Sequence, residues 1–156
     1  MVDWKPSSPL KYLQQRAQAL ASIRRFFAER DVLEVETPLL ASTTVPDVYI
    51  ESVSAELIDG NNSQACFLQT SPEFFMKRLL ASGSGSIYQI TKAFRQEEKG
   101  RIHNTEFTLL EWYRVSYSLE QLMTELEGLV KEILGCDSLP RFSYREIFQK
   151  HLHIDP

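Results

Sequence analysis

The clearest pattern of hydrophobic and polar positions lies between residues 87 and 114. Residues 87–94 are rich in β-forming side chains, which predicts a strand. Side chains on a strand repeat every two residues, so one face of a second strand would carry Phe107, Leu109, Glu111 and Tyr113. The connection from Arg95 to His103 is longer than the roughly two to five residues that close an ordinary hairpin. The pattern therefore predicts two strands joined by a charged loop.

Apolar residues at helical spacing predict three further elements outside this region. Residues 9–30 repeat with a helical period, after a serine and a proline suited to a helix start. Residues 118–134 form the strongest helical pattern, with a capping box at its start and Gly135 at its stop. A shorter helix is predicted from Ser143.

Another helix is predicted to begin in the segment Thr70-Ser71-Pro72-Glu73. Thr70 and Glu73 have the spacing of a capping box. From the residues alone, two interpretations of Glu73 stay open. It either caps this helix or offers a carboxylate to a ligand.

Short strands are predicted before this helix. Residues 32–38 read as a strand that ends at a proline, which cannot donate to a ladder. Residues 49–57 and 64–68 read as a hairpin around a strong turn signal at residues 59–62. Helices mixed with antiparallel pairs predict an α+β fold.

Composition limits the class of protein. The chain has 156 residues, of which 43% are hydrophobic and 24% charged, as expected for one soluble domain. The formal net charge of −4 argues against a large polyanion-binding surface. Cys66 and Cys136 lie far apart without a metal-binding spacing. No apolar run reaches the roughly 20 residues of a membrane span, and no signal pattern opens the chain, so we expect no membrane association and a cytoplasmic location.

The charged connection carries the residue types of a nucleotide site. Arg95 offers a planar fork for phosphate oxygens. Phe107 offers a flat face for a base, and Glu97 can accept a hydrogen bond from an exocyclic amine. Neither a P-loop nor a dinucleotide-binding glycine pattern is present. The residues alone leave open a second interpretation, an exposed hairpin stabilised by salt bridges.

The same residues resemble a known family. Phe94-Arg95-Gln96-Glu97, followed by Arg101, His103 and Glu106-Phe107, is similar to motif 2 of the class II aminoacyl-tRNA synthetases. The first predicted helix with its following strand resembles motif 1. By this resemblance motif 1 spans about 9–40 and motif 2 about 87–114. The segments 70–73 and 103–113 resemble the lysyl branch.

The resemblance implies a class II antiparallel sheet flanked by helices. Gln96 and Thr105 stand where the family more often has asparagine and proline. Motif 3 is absent, so residues 1–156 resemble the N-terminal portion of a catalytic domain, truncated before motif 3. No anticodon-binding domain is expected, because few residues precede the first helix.

Two groups within the lysyl branch compete. Lysyl-tRNA synthetases carry an anticodon-binding domain and grip tRNA, whereas short relatives attach (R)-β-lysine to elongation factor P. The acidic balance favours the short ligases. The resemblance then implies ATP-dependent activation of (R)-β-lysine, or lysine, as an adenylate, and transfer to a lysine side chain of elongation factor P. The alternatives are a lysyl-tRNA synthetase fragment or paralogue, and a non-catalytic dimerising module.

Partners and site residues follow from the same resemblance. It implies Mg²⁺ bound through the phosphates, a homodimer through motif 1, no tRNA and no metal ligand in this chain, which alone is expected to be inactive. Arg95 would be the catalytic residue at the α-phosphate. ATP would contact Arg95, Gln96, Glu97, His103, Asn104 and Phe107. The amino acid would contact Ser71, Pro72, Glu73, Glu111 and Tyr113.

Overall fold

A computed structural model describes residues 4–6, 8–96 and 100–156. Within these ranges the chain forms an α+β fold, as predicted. The elements are α1 (Leu10–Ala28), β1 (Leu33–Glu34), β2 (Leu40–Ala41), β3 (Ser54–Asp59), β4 (Asn62–Leu68), α2 (Glu73–Ala81), β5 (Ile87–Phe94), β6 (Glu106–Tyr113), α3 (Leu119–Leu134) and α4 (Tyr144–Leu152). The chain divides into two compact units, residues 24–116 and residues 1–23 with 117–156.

The unit of residues 24–116 contains two three-stranded sheets. Their strand orders are β1-β5-β6 and β2-β4-β3. β1 runs parallel to β5, and the other pairs are antiparallel. β5 and β6 pair over eight positions, from Ile87 opposite Tyr113 to Phe94 opposite Glu106. The predicted pair of strands with a long connection is therefore confirmed.

The apolar core of this unit lies against β5. Phe27 and Tyr88 stack with their ring centroids 4.5 Å apart. Phe27, Met76 and Ile87 are completely buried. Because burial of such side chains dominates stability, this core fixes β5 beneath the site described below.

The second unit confirms the capping box predicted at the start of α3 and has another at the start of α4. The Ser118 side chain accepts from the backbone of Gln121, whose side chain accepts in return, at the start of α3. Ser143 and Glu146 repeat this exchange at α4. Gly135 ends α3 with φ of 66°, a left-handed conformation that glycine adopts at little cost.

The capping box predicted for Thr70 and Glu73 is wrong. The residue before α2 is Pro72, and no side chain caps the helix in the predicted way. Instead the Glu73 N–H donates to Ser71 Oγ over 3.0 Å. Ser71 therefore satisfies the backbone N–H of Glu73. The Glu73 carboxylate makes no capping hydrogen bond, so it can contact other groups.

Two predicted strands are shorter than expected. The strand predicted at residues 32–38 is limited to Leu33–Glu34. The strand predicted from residue 49 begins at Ser54. Val48 and Tyr49 are 89% and 92% exposed, so this part of the chain gains no burial that would hold it in a sheet.

Candidate functional site

A carboxylate on β6 is held by two hydroxyl groups. Ser71 Oγ donates to Glu111 Oε2 over 2.9 Å. The Tyr113 hydroxyl donates to Glu111 Oε1 over 2.7 Å. Glu111 and Tyr113 leave the same face of β6, as the alternation predicted, and Ser71 reaches them from the connection before α2. Each carboxylate oxygen thus has one donor and keeps a lone pair for another.

The connection before α2 is itself fixed in place. Ser71 Oγ accepts from the Glu73 N–H while it donates to Glu111. Pro72 is among the completely buried side chains, so it anchors the turn. The turn therefore presents Ser71 and Glu73 in a defined orientation.

The charges in this corner of the site, formed by Glu73, Glu111 and Tyr113, favour a bound cation. Burial raises the pKa of Tyr113 well above its usual value, and the hydrogen bond to Glu111 and the charges of Glu111 and Glu73 raise it further. The phenol therefore stays protonated and donates to the carboxylate. Glu73 pairs with Lys77, one helical turn later. The negative charges of Glu111 and Glu73 both act on the Tyr113 hydroxyl, and such a negative environment suits an ammonium group.

A second group of residues lies at the other end of the same face. Arg95 directly follows β5, and its Nε lies 3.4 Å from the carbonyl oxygen of Thr70. Its guanidinium carbon lies 5.1 Å from the ring centroid of Phe107, within the range of a cation–π contact. The Arg95 N–H donates to the Thr105 carbonyl over 2.9 Å, which closes the base of the long connection. The structure thus brings Arg95 and Phe107 together.

The remaining predicted ATP contacts lie on or beside the connection. Gln96 is exposed, and its N–H donates to the Glu51 carbonyl over 2.8 Å. His103 and Asn104 are exposed, and among the described residues their side chains have no hydrogen bond to Arg95 or Glu111. The predicted contact of Glu97 falls outside the described residues.

Sequence reasoning missed two parts of the site. The Thr70 carbonyl faces Arg95, which no pattern of side chains reveals. Gln89 is buried in the middle of β5 and accepts from the Thr37 hydroxyl over 3.0 Å. The available signal was an amide within a run of β-forming residues, opposite a candidate carboxylate.

No group of three or more His, Cys, Asp or Glu side chains suited to a metal ion is found among the described residues. None of the helices in the described ranges is long and apolar enough to cross a membrane.

Comparison with known proteins assigns the family. Residues 1–150 match the profile of tRNA synthetases class II (D, K and N). The chain belongs to this family. The match covers every predicted site residue and confirms the resemblance seen in motif 2.

Curated relatives share a common name. The elongation factor P–(R)-β-lysine ligase of Yersinia enterocolitica is 50% identical over 156 residues, covering 99% of this chain and 48% of the relative. The proteins of the same name from Edwardsiella ictaluri and Yersinia pestis are 47% and 48% identical to this chain. These matches cover 100% and 99% of this chain, and 49% and 48% of those relatives. The chain spans about half the length of the curated relatives it matches.

Proposed function

We propose that the protein containing this chain is an ATP-dependent ligase that activates (R)-β-lysine, or lysine, and transfers it to a lysine side chain of elongation factor P. The curated relatives that this chain matches carry the name of such a ligase. The proposal rests on the arrangement of side chains on the β5–β6 pair. One face of the β5–β6 pair presents Arg95 beside Phe107 at one end and the Glu111 carboxylate, held by Ser71 and Tyr113, at the other.

In the first step the substrate carboxylate attacks the α-phosphorus of ATP. A new carboxyl–phosphate bond forms, and pyrophosphate leaves. Arg95 would hold the α-phosphate and the attacking carboxylate as charge shifts between them. Phe107 would stack on adenine. Mg²⁺ would be bound through the phosphate oxygens, because this hard cation prefers oxygen ligands.

The end of the site around Glu111 would bind the amine groups of the amino-acid substrate. Glu111 and Glu73 would accept hydrogen bonds from ammonium groups of the substrate, with the phenol of Tyr113 completing the pocket. (R)-β-lysine carries two amines, and this corner offers two carboxylates. Gln96, Glu97, His103 and Asn104 remain predicted contacts of ATP, and Pro72 remains a predicted pocket residue.

In the second step an uncharged lysine amine of elongation factor P attacks the acyl carbon. An amide bond forms, AMP leaves, and the amine loses a proton. The acidic balance of the chain, with a net charge of −4, supports a protein acceptor over a polyanionic tRNA.

The dimer is a further part of the proposal. α1 carries exposed apolar side chains, including Leu10, Tyr12 and Leu13, which are 69%, 52% and 50% exposed. Exposed apolar residues of this kind are typical of an interface. Light scattering after gel filtration should give twice the monomer mass, and a monomer mass would reject the dimer. The cytoplasmic location stays a prediction.

The test is a labelling experiment with radioactive amino acid, ATP and either elongation factor P or tRNA, using the gene product that contains this chain. We expect ATP-dependent label on elongation factor P and a preference for (R)-β-lysine over lysine. Label on tRNA instead would favour the tRNA-charging alternative. A lack of ATP–pyrophosphate exchange with either amino acid would favour a non-catalytic module.

A further inference from the structure

We propose that Thr37 and Gln89 form a positioning pair that sets the place of the Glu111 carboxylate from the adjacent strand. The inference rests on the proposed function, because Glu111 is the proposed acceptor for a substrate amine. Neither Thr37 nor Gln89 is among the predicted contacts of ATP or the amino acid. Their role would be exerted through Glu111.

The first observation is the burial of an amide in the middle of the sheet. Gln89 is 2% exposed. An amide has one acceptor and two donors, and burial without partners costs free energy. An apolar β-forming residue would suit this position better if it served packing alone. The presence of an amide at this position therefore indicates a hydrogen-bonding role rather than hydrophobic packing alone.

The second observation is the register of β5 and β6. Gln89 lies directly opposite Glu111. Side chains at directly opposed positions of an antiparallel pair leave the same face, with Cβ atoms about 4.5–5.5 Å apart. The register thus places Gln89 beside the residue whose carboxylate Ser71 and Tyr113 hold from other directions.

The third observation is the hydrogen bond that orients the amide. The Thr37 hydroxyl donates to Gln89 Oε1 over 3.0 Å. With the oxygen held by Thr37, the donating Nε2 end is the part of the amide left for the carboxylate of Glu111. The reverse orientation would place the amide oxygen beside a carboxylate, which is repulsive. In the observed orientation Thr37 donates to the amide oxygen, so the pair avoids that repulsion.

The position of Thr37 explains how the pair joins two parts of the unit. Thr37 lies three residues after the end of β1, whereas Glu111 lies on β6 at the other edge of the same sheet. Gln89, on the central strand, bridges them. Displacement of the segment after β1 would therefore be transmitted to the amino-acid end of the site.

The kinetic test uses near-isosteric substitutions in the gene product that contains this chain. We expect Thr37→Val and Gln89→Met to raise the KM for the amino acid about tenfold, with the KM for ATP and kcat close to wild type. Thr37→Ser keeps the hydroxyl and should restore the wild-type KM. A fall in kcat with both KM values unchanged would indicate a purely structural role and overturn the inference.

A second test does not depend on activity. In the ¹⁵N-labelled gene product that contains this chain, Glu111→Gln should shift the side-chain amide resonances of Gln89, because it removes the neighbouring charge. The matched control is Glu106→Gln on the same strand, since Glu106 pairs with Lys92 on the opposite face. Equal or absent shifts in the two variants would overturn the inference. If the unsubstituted protein lacks exchange activity, the proposed function fails, and this measurement alone decides the positioning pair.

Discussion

The two hairpins of residues 24–116 have similar pairing and different surroundings. β3 and β4 pair over six positions across a tight turn, and most of their side chains are exposed. β5 and β6 pair over eight positions, and β5 begins with three consecutive buried residues. Residues 95–105 separate β5 from β6, far more than a turn requires.

The polar side chains of the two hairpins differ in burial and in the number of elements that supply their partners. On the first hairpin Ser63 bonds Glu56 across the two strands, and both are exposed. On the second hairpin, Glu111 is partly buried and receives hydrogen bonds from β6 and from the connection before α2. Exposed pairs contribute little because water competes for both partners. Strand pairing alone therefore does not mark a site, whereas partly buried polar groups with partners from several elements do.

The largest effect that separates the hairpins should come from Arg95→Ala. Removing a charge-stabilising group at a reacting centre costs about 10²–10³ in rate. We expect ATP–pyrophosphate exchange to fall by at least this factor, with an unchanged melting temperature. Lys92→Ala is the control, because Lys92 lies on the other face of β5 and pairs with Glu106. Equal activities of the two variants would remove Arg95 from the reaction.

The second effect compares one carboxylate from each hairpin. Hydrogen bonds to charged groups contribute about 1.5–3 kcal/mol, so Glu111→Gln should raise the KM for the amino acid about 10- to 100-fold. Glu56→Gln should leave it unchanged, because Glu56 is an exposed residue of β3. Steady-state kinetics with saturating ATP measures both. A similar KM for both variants would contradict the assignment of Glu111.

The third effect concerns the aromatic face at the other end of the site. Stacking of a base on an aromatic ring is worth roughly 1–3 kcal/mol, so Phe107→Ala should weaken ATP binding about tenfold. Calorimetry with ATP measures the affinity. Ile58→Ala on β3, where Ile58 is 74% exposed, should bind ATP as the wild type does. Unchanged affinity in Phe107→Ala would exclude stacking.

The smallest effect concerns the stability of β5. Burial, together with the hydrogen bond to Glu34 and the charge of that carboxylate, raises the pKa of Tyr88 to about 12. The folded state retains the phenol proton after the unfolded chain begins to lose it near pH 10. Stability from this group is therefore complete below about pH 10 and is lost as the pH rises towards about 12.

Tyr88→Phe should remove that part of the alkaline decline. It should also cost about 0.5–1.5 kcal/mol at neutral pH, because the hydrogen bond to Glu34 is lost. Denaturant unfolding between pH 8 and pH 12 would measure both, with Tyr49→Phe as an exposed control. The same alkaline slope in wild type and Tyr88→Phe would contradict the explanation.

Part of the geometry of this candidate site was predictable from the sequence, because alternation along one strand is a local rule. Alternation placed Glu111 and Tyr113 on one face, and motif similarity pointed to Arg95 and Phe107. Contacts between residues far apart in sequence were harder to predict. The hydrogen bond from Thr37 to Gln89 joins residues 52 positions apart, and no periodicity encodes it.

The errors also have local physical causes. Ser71 takes the capping contact assigned to Thr70, since its hydroxyl accepts from the Glu73 N–H over 3.0 Å in the turn before α2. The predicted strand from residue 49 contained apolar residues that the fold leaves exposed. Propensity indicated a strand there, but burial and pairing decide whether a strand forms.

Photolabelling with 8-azido-ATP, followed by peptide mapping, tests most directly whether the β5–β6 hairpin holds the nucleotide. The azide on the adenine ring reacts with the residues that lie against the base. We predict that the label maps to the β5–β6 hairpin around Phe107, is prevented by excess ATP and is lost in Phe107→Ala. ATP-protected label on the β3–β4 hairpin, with none on β5–β6, would contradict the account.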